Sequence, residues 1–422
     1  MKPSLFVSLQ AAILTTLWSI TPTATAASLS LAEAERLALE ADPTIEATVA
    51  RSEALREDAV ADGQLPDPRM RIGLNNVPTD SFDLSQEPMT QLSFGLQQAI
   101  PPGDTLAFKQ RRTEWLANAQ SARARAERKR VQREVREKYL EVVYQVRAGE
   151  IVRASRKLFE QLVDVTRYQF AAGRVTQQDV LRAQVELSRL DDRETRIRNQ
   201  EEAQRANLET WIGAAAWQPL SPVLPRLPAL PPRDVIAASL DRHPLIRFKA
   251  AIEESNRQGV QIAREQYKPG WNVGIEYRKR FGENPSGTAR ADMLAAMVTF
   301  DLPFFTGQRQ DRRLNASLRK AAAAGFDKAD VKRQLEAMLS REYANWNRLG
   351  ERQTLYETRL VREAEANAEA ALKAYQSGLT EFTTLMRARL TELDVRLAEM
   401  RVWTDRARAQ ARLLYLLTEE EQ

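Results

Sequence analysis

The sequence predicts an α+β membrane protein built from one unit used twice: two short strands followed by a very long helical hairpin. Three observations carry this. Four landmarks recur in order at a nearly constant displacement of 201 to 205 residues. Four short segments alternate apolar and polar residues with the period of a strand. Two Ala-, Arg- and Glu-rich stretches of about seventy residues each end at a glycine set shortly after an aromatic residue.

The landmarks define the repeat. "LEADPTIEA" (39–47) returns as "LDRHPLIRF" (240–248), and "DPRMRIGL" (67–74) returns as "KPGWNVGI" (268–275), both 201 positions on. Pro101 answers to Pro303, and Gly173 in "YQFAAGRVTQQDVL" to Gly378 in "AYQSGLTEFTTLM". Between the copies, "QPLSPVLPRLPALPP" (218–232) holds six prolines and cannot be helix. The expected order is therefore a first repeat over 27–217, a linker over 218–232 and a second repeat over 233–422.

Ahead of the first repeat, Lys2, the apolar run from Leu5 to Ile20 and Ala24-Thr25-Ala26 have the layout of a secretory signal peptide over 1–26. About sixteen apolar residues fall short of the ~20 that a spanning helix needs. Membrane insertion, if any, must then use something other than helices.

The strands are expected over about 68–76, 90–98, 270–279 and 293–302. In the first, Met70, Ile72 and Leu74 share a face opposite Arg69, Arg71 and Asn75; in the third, Trp271, Val273, Ile275 and Tyr277 oppose Asn272, Glu276 and Arg278. Such strands fit either two soluble hairpins lying on the helices or a transmembrane sheet facing lipid and water. In lipid an open edge leaves backbone groups unpaired, so the sheet must close. Four strands cannot close, because barrels start at about eight; three chains together would supply twelve.

The rods run from about Gly103 to Ala172 and from Gly307 to Ser377, on the order of 100 Å each at ~1.5 Å per residue. Their return helices carry seams at spacings of three and four: Met386, Leu390, Leu393, Leu397, Met400, Ala407, Ala411 and Leu414 in the second copy, with Thr404 the polar entry. In the first copy the seam is Val180, Ala183, Leu187, Leu190, Ile197, Leu208 and Trp211, interrupted by Glu194 and Glu201.

Composition excludes several classes. The net charge is only +5, and the one basic run (Arg123–Lys138) alternates in sign like a solvated helix face, so no nucleic-acid partner is expected. With no cysteine and one histidine, His243, there is no basis for a thiolate or histidine metal site, a cofactor or a catalytic cluster. His243 in "DRHPLI" reads as a turn before a helix. No enzyme is expected.

With these motifs located, the whole mature chain resembles the outer-membrane efflux channels (TolC-like proteins). The resemblance implies a homotrimer whose twelve-stranded barrel crosses the outer membrane of a Gram-negative bacterium. A tapered α-helical barrel would continue it through the periplasm to an adaptor protein and an inner-membrane pump. It implies tips at about 170–178 and 375–383, where Gly173, Arg174, Val175, Gly378, Leu379 and Thr380 would dock the adaptor. Asp179 and Tyr375 match positions that pair in closed family members, but Thr380 stands where their partner arginine is expected. Thr384 and Arg387 replace the acidic gate ring, with Glu381 the nearest acid. The stretch "GLNNVPTDSFDLSQEPMTQLSFGLQQAIPPG" resembles channels serving heavy-metal pumps, which makes metal ions the first substrate to consider, with Met70, Met89, Met293 and Met297 as soft contacts. A type I secretion duct and a soluble exported coiled-coil scaffold are the alternatives.

Overall fold

The computed structural model describes residues 28–221 and 223–418, so the expected signal peptide lies outside it. The first repeat opens with two capped helices. Helix α1 (Leu31–Ala41) begins at Ser30, whose Oγ accepts the Glu33 amide at 3.2 Å. Helix α2 (Pro43–Asp62) begins at Asp42, which accepts the amides of Thr44 at 2.7 Å and Ile45 at 3.2 Å. Strands β1 (Arg69–Asn75) and β2 (Gln91–Ile100) follow, then the rod α3 (Thr105–Ala171) and its return α4 (Gln177–Ile212).

The second copy runs α5 (Arg233–Ser239), α6 (Pro244–Glu265), β3 (Trp271–Arg280), β4 (Met293–Phe300), then α7 (Gln310–Leu355) and α8 (Val361–Gln376). A π-helical turn, Tyr356–Leu360, joins α7 to α8. These three pieces, of 46, 5 and 16 residues, together match the 67 residues of α3. The return helix is α9 (Phe382–Leu416). Near the sheet the helices lie side by side in the order α2, α3, α6, α7; farther away the order is α4, α3, α9, then α7 and α8.

His243 has the role in α6 that Asp42 has in α2. Its Nδ1 accepts the Leu245 amide at 3.3 Å, so Nε2 carries the proton and faces the Tyr415 carbonyl at 3.2 Å. The ring is fully buried, edge-on to Tyr415. Burial pushes its pKa down to about 4, against the Tyr415 carbonyl and with help from Lys129. The folded chain therefore refuses a proton that the unfolded chain takes below pH ~6.5. Stability is full above that value and falls as pH drops towards 4, by about 3 kcal/mol per chain. Melting temperatures at pH 7.5 and pH 5 should differ accordingly, and His243→Asn, which keeps a cap acceptor, should flatten the difference.

The seams pack as expected, but a second stripe joins them. Met386, Leu393, Leu397 and Leu414 of α9 are buried, and so are Leu385, Ala388, Val402, Ala409, Leu413 and Leu416. The single-seam reading is corrected here because α9 is held on two sides, by α3 and by α7 with α8. At mid-height α9 is also tied by charge. Arg412 makes a forked bond to Glu137 of α3 at 3.0 and 2.7 Å, and Arg401 and Arg408 reach Glu141 at 2.9 and 3.1 Å. The half-buried Glu137 carboxylate is the first cause holding the Arg412 guanidinium protonated. Beside this lattice, α1, the linker and α5 cap the rods through two apolar clusters centred on Val135, Tyr139 and Leu208, and on Ile236, Leu335 and Leu413.

The four strands form one antiparallel sheet in the order β1-β2-β3-β4, so the central pair, β2 with β3, joins the two repeats. Register brings every apolar residue named above to one face: Ile72 opposite Phe94, Phe94 opposite Tyr277, and Val273 opposite Val298. Helix α6 anchors this sheet to the rods. The Glu265 carboxylate accepts the Asp104 amide at 2.8 Å and the Lys268 ammonium at 2.6 Å, just where α3 leaves the sheet. Gly103 makes the approach possible. Its φ is +50°, and a Cβ there would stand 1.8 Å from a Glu265 oxygen. Gly103→Ala should thus lower the unfolding free energy by roughly 2 kcal/mol or more, because the clash and the backbone strain act together. Adding Glu265→Ala should recover the steric part, and melting temperatures of the three variants measure both.

Candidate functional site

The sheet is built inside out. In β3 each apolar residue is exposed, Ile275 at 56% and Trp271 at 44%, while each residue of the polar face is half-buried. In β2, Gln91 and Ser93 are buried and Leu96 is 51% exposed. A soluble sheet burying one face covers its apolar side; here the apolar face of Met70, Ile72, Leu74, Ile275, Val298 and Phe300 is open. The polar face is the more enclosed one. Within the strands, the buried side-chain atoms that lack a protein hydrogen bond, Gln91 Oε1, Asn272 Oδ1 and Arg280 Nε, all lie on it, as expected of a wall in contact with water. Of the methionines, Met70 lies on the apolar face, whereas Met293 and Met297 share the polar face with Arg278 and Gly274.

At the other end the two hairpin turns are built alike. Gly173 has φ +70° and Gly378 φ +71°, and nothing stands within 4 Å of a Cβ at either. In each turn the residue after the glycine bonds back five residues, Arg174 N–H to the Gln169 carbonyl and Leu379 N–H to the Ala374 carbonyl, both at 2.9 Å. The glycine amide bonds to the Phe170 carbonyl at 2.9 Å in one turn and to that of Tyr375 at 3.0 Å in the other. This is a Schellman ending, which needs a residue at ease with positive φ. Arg174 and Leu379 point outward, Leu379 at 82% exposure, with Val175 and Thr380 half-buried.

The expected gate residues divide into three groups. Asp179 is a cap: its carboxylate accepts the Thr176 amide and hydroxyl at 3.2 and 2.8 Å, and its own amide meets Thr176 Oγ1 at 3.3 Å. Within the chain Tyr375 does not bond to Asp179. Its hydroxyl donates to Gln169 Oε1 at 2.6 Å, across to the first hairpin, and its ring sits edge-on to Phe382. Burial pushes the phenol pKa up. Glu381, Thr384 and Arg387 lie three residues apart along one exposed face at the start of α9. Among the described residues Arg387 has no ion-pair partner. Gln169 carries no signal as a single residue, and only the pairing of the two hairpins shows what it does; Thr176 with Asp179 is a capping box that the T-x-x-D spacing could have revealed.

Comparison with known proteins fits this geometry. The family model for outer membrane efflux proteins matches twice, over residues 35–214 and 235–419. Solved structures share the fold over 92% of this chain. A membrane protein from Pseudomonas aeruginosa has a TM-score of 0.78 at 17% identity over 89% of its own chain. VceC from Vibrio cholerae scores 0.76 at 17% identity over 95% of its chain, and CusC 0.75 at 13% over 91%. No curated protein matches the sequence significantly. With both repeats matched by the family model, and with sheet, rods and turns in the family's arrangement, the chain belongs to the outer membrane efflux proteins and is an outer-membrane protein with a large periplasmic helical portion.

Proposed function

We propose that three copies of this chain pool their strands into a twelve-stranded barrel and their hairpins into a periplasmic tube, forming the passive exit duct of a tripartite efflux system. The observation that carries the reading is the inverted sheet: an open apolar face, a polar face that is the more enclosed one in the central strands, and two unpaired edges, β1 and β4. In lipid those edges must pair, and a neighbouring copy supplies a complementary edge. The hairpins support the same assembly. Leu181 and Val185 of α4 remain 54% and 51% exposed, as apolar side chains on a flank awaiting a second chain would be.

In this reading the signal peptide exports the chain, and the tips meet the helical hairpin of a periplasmic adaptor. Gly173 and Gly378 shape the turns, while Arg174, Val175, Leu379 and Thr380 supply the contact surface. Asp179, Tyr375, Glu381, Thr384 and Arg387 surround the narrow end. In this reading the duct is passive, and energy and substrate choice are left to the pump. Heavy-metal ions remain the first cargo to test, on the sequence likeness of the β1–β2 segment. A photo-reactive residue at Leu379 should cross-link to the periplasmic adaptor in whole cells, whereas one at Trp217, in the mid-height cap, should not. Cross-linking at Trp217 alone would move the docking site away from the tips.

A further inference from the structure

We propose that the pore of this channel selects for anions, so that the solutes it passes are negatively charged or carried as anionic complexes. The inference rests on the channel reading and adds the charge of its cargo.

The wall supplies the argument. Register fixes which charged side chains share the polar face: Arg69 and Arg71 on β1, and Glu276, Arg278 and Arg280 on β3. The remaining members of that face in β2 and β4 are neutral, among them Gln97, Ser93, Ala295, Met297 and Thr299. Four arginines thus face one glutamate in each chain, and Glu276 is already engaged by Arg278 at 3.1 Å. The arginines stand at successive levels. Arg280 lies in line with Gln91 and Asn75, Arg278 with Ser93 and Gly73, Arg71 with Gly95, and Arg69 with Gln97. Glycines stand at three of these levels, Gly73 beside Ser93 and Arg278, Gly95 between Arg71 and Glu276, and Gly274 beside Gln97 and Arg69. Arg69, Arg71 and Arg280 have no ion-pair partner among the described residues, and the buried Nε of Arg280 has no hydrogen-bond partner.

Apart from Glu276, the acids nearby are not on the wall. Asp80, Asp83 and Glu87 sit in the β1–β2 loop, and Glu283 and Asp292 in the β3–β4 loop, so they border the outer mouth. Asp301 follows β4 at the opposite rim, where its amide bonds to the Gly270 carbonyl at 3.1 Å. At the far end of the tube, Arg387 stands one helical turn beyond Thr384, with no ion-pair partner among the described residues. A ring of like charges enclosed by low-dielectric walls raises the local concentration of the opposite ion and excludes its own sign. Repeated by three-fold symmetry, the wall arginines make rings that favour anions at each level. A bare metal cation would meet a positive potential along the barrel.

The test is the reversal potential of the purified full-length protein in a planar bilayer under a KCl gradient, with Arg71→Glu/Arg278→Glu and the milder Arg71→Gln beside it. Chloride should outpass potassium by about three-fold or more, with the preference reduced in Arg71→Gln and reversed in the double variant. A wild-type pore that conducts but prefers potassium overturns the inference and leaves the channel reading standing. Chloride preference that neither variant alters overturns the assignment to these arginines. Absence of any conductance removes the channel reading itself, so the two failures are distinct.

Discussion

Ile275→Arg should nearly eliminate assembled protein from the outer membrane, while Gln97→Arg should leave its amount close to wild type. Both positions lie near the middle of a central strand and both changes introduce the same side chain. They differ only in face: Ile275 is 56% exposed on the apolar side, and Gln97 is half-buried on the polar side, in register with Arg69 and Gly274. An arginine on the lipid face near the bilayer midplane costs ~2–4 kcal/mol, and a three-chain barrel bears it three times. A soluble sheet predicts another outcome, since arginine in place of an exposed isoleucine would be neutral or would improve solubility. Quantifying folded protein in the outer-membrane fraction separates the two. Equal recovery of both variants would show that the apolar face does not meet lipid.

Gly378→Pro should abolish export while sparing assembly. Proline fixes φ near −65°, the glycine sits at +71°, and the amide that bonds to the Tyr375 carbonyl at 3.0 Å would be lost. The turn must then re-form, displacing Leu379 and Thr380. Gly378→Ala should be much milder, because nothing lies within 4 Å of the new methyl and only the backbone conformation opposes it. The turn is separated from the sheet by the whole α7–α8 rod, on the order of 100 Å, so edge pairing is untouched. Export measured as efflux from whole cells should fall at least about ten-fold for the proline variant, in line with losing a positioned contact, with normal levels of assembled protein. Persistent export would mean that the Gly378 turn is not where the adaptor docks.

The strands were legible because a lipid-facing sheet and a sheet with one buried face obey the same period-two rule; Ile72 and Arg71 alternate whichever side meets water. Which side does so is written nowhere in a strand's pattern and emerges from exposure. The repeat was legible because landmark residues, Pro43 and Pro244 among them, keep their place in equivalent caps. The caps themselves are filled differently, by Asp42 and by His243, since either side chain offers an acceptor to the next amides. The π turn at Tyr356–Leu360 left no mark, because "YETRL" is as good a helix sequence as its neighbours. The second stripe of α9 was hidden for a different reason: alanines such as Ala388 and Ala409 suit a solvent face and a close helix contact equally well. Long-range pairs, Tyr375 with Gln169 and Glu265 with Asp104, join residues 206 and 161 positions apart and follow from the fold alone.

Everything turns on whether β4 of one chain pairs with β1 of the next. The native sequence has no cysteine, so a single introduced pair reports cleanly. Asn75 and Met293 lie at the same end of the two edge strands, near the outer mouth, and on the same face of the sheet. The variant Asn75→Cys/Met293→Cys, treated in membranes with a short bismaleimide and run under denaturing conditions, should give bands at one, two and three times the mass of the mature chain and none larger, with single-cysteine variants giving none above the first. A monomer that resists cross-linking in membranes, or a ladder continuing past three, would contradict a closed barrel shared by three chains.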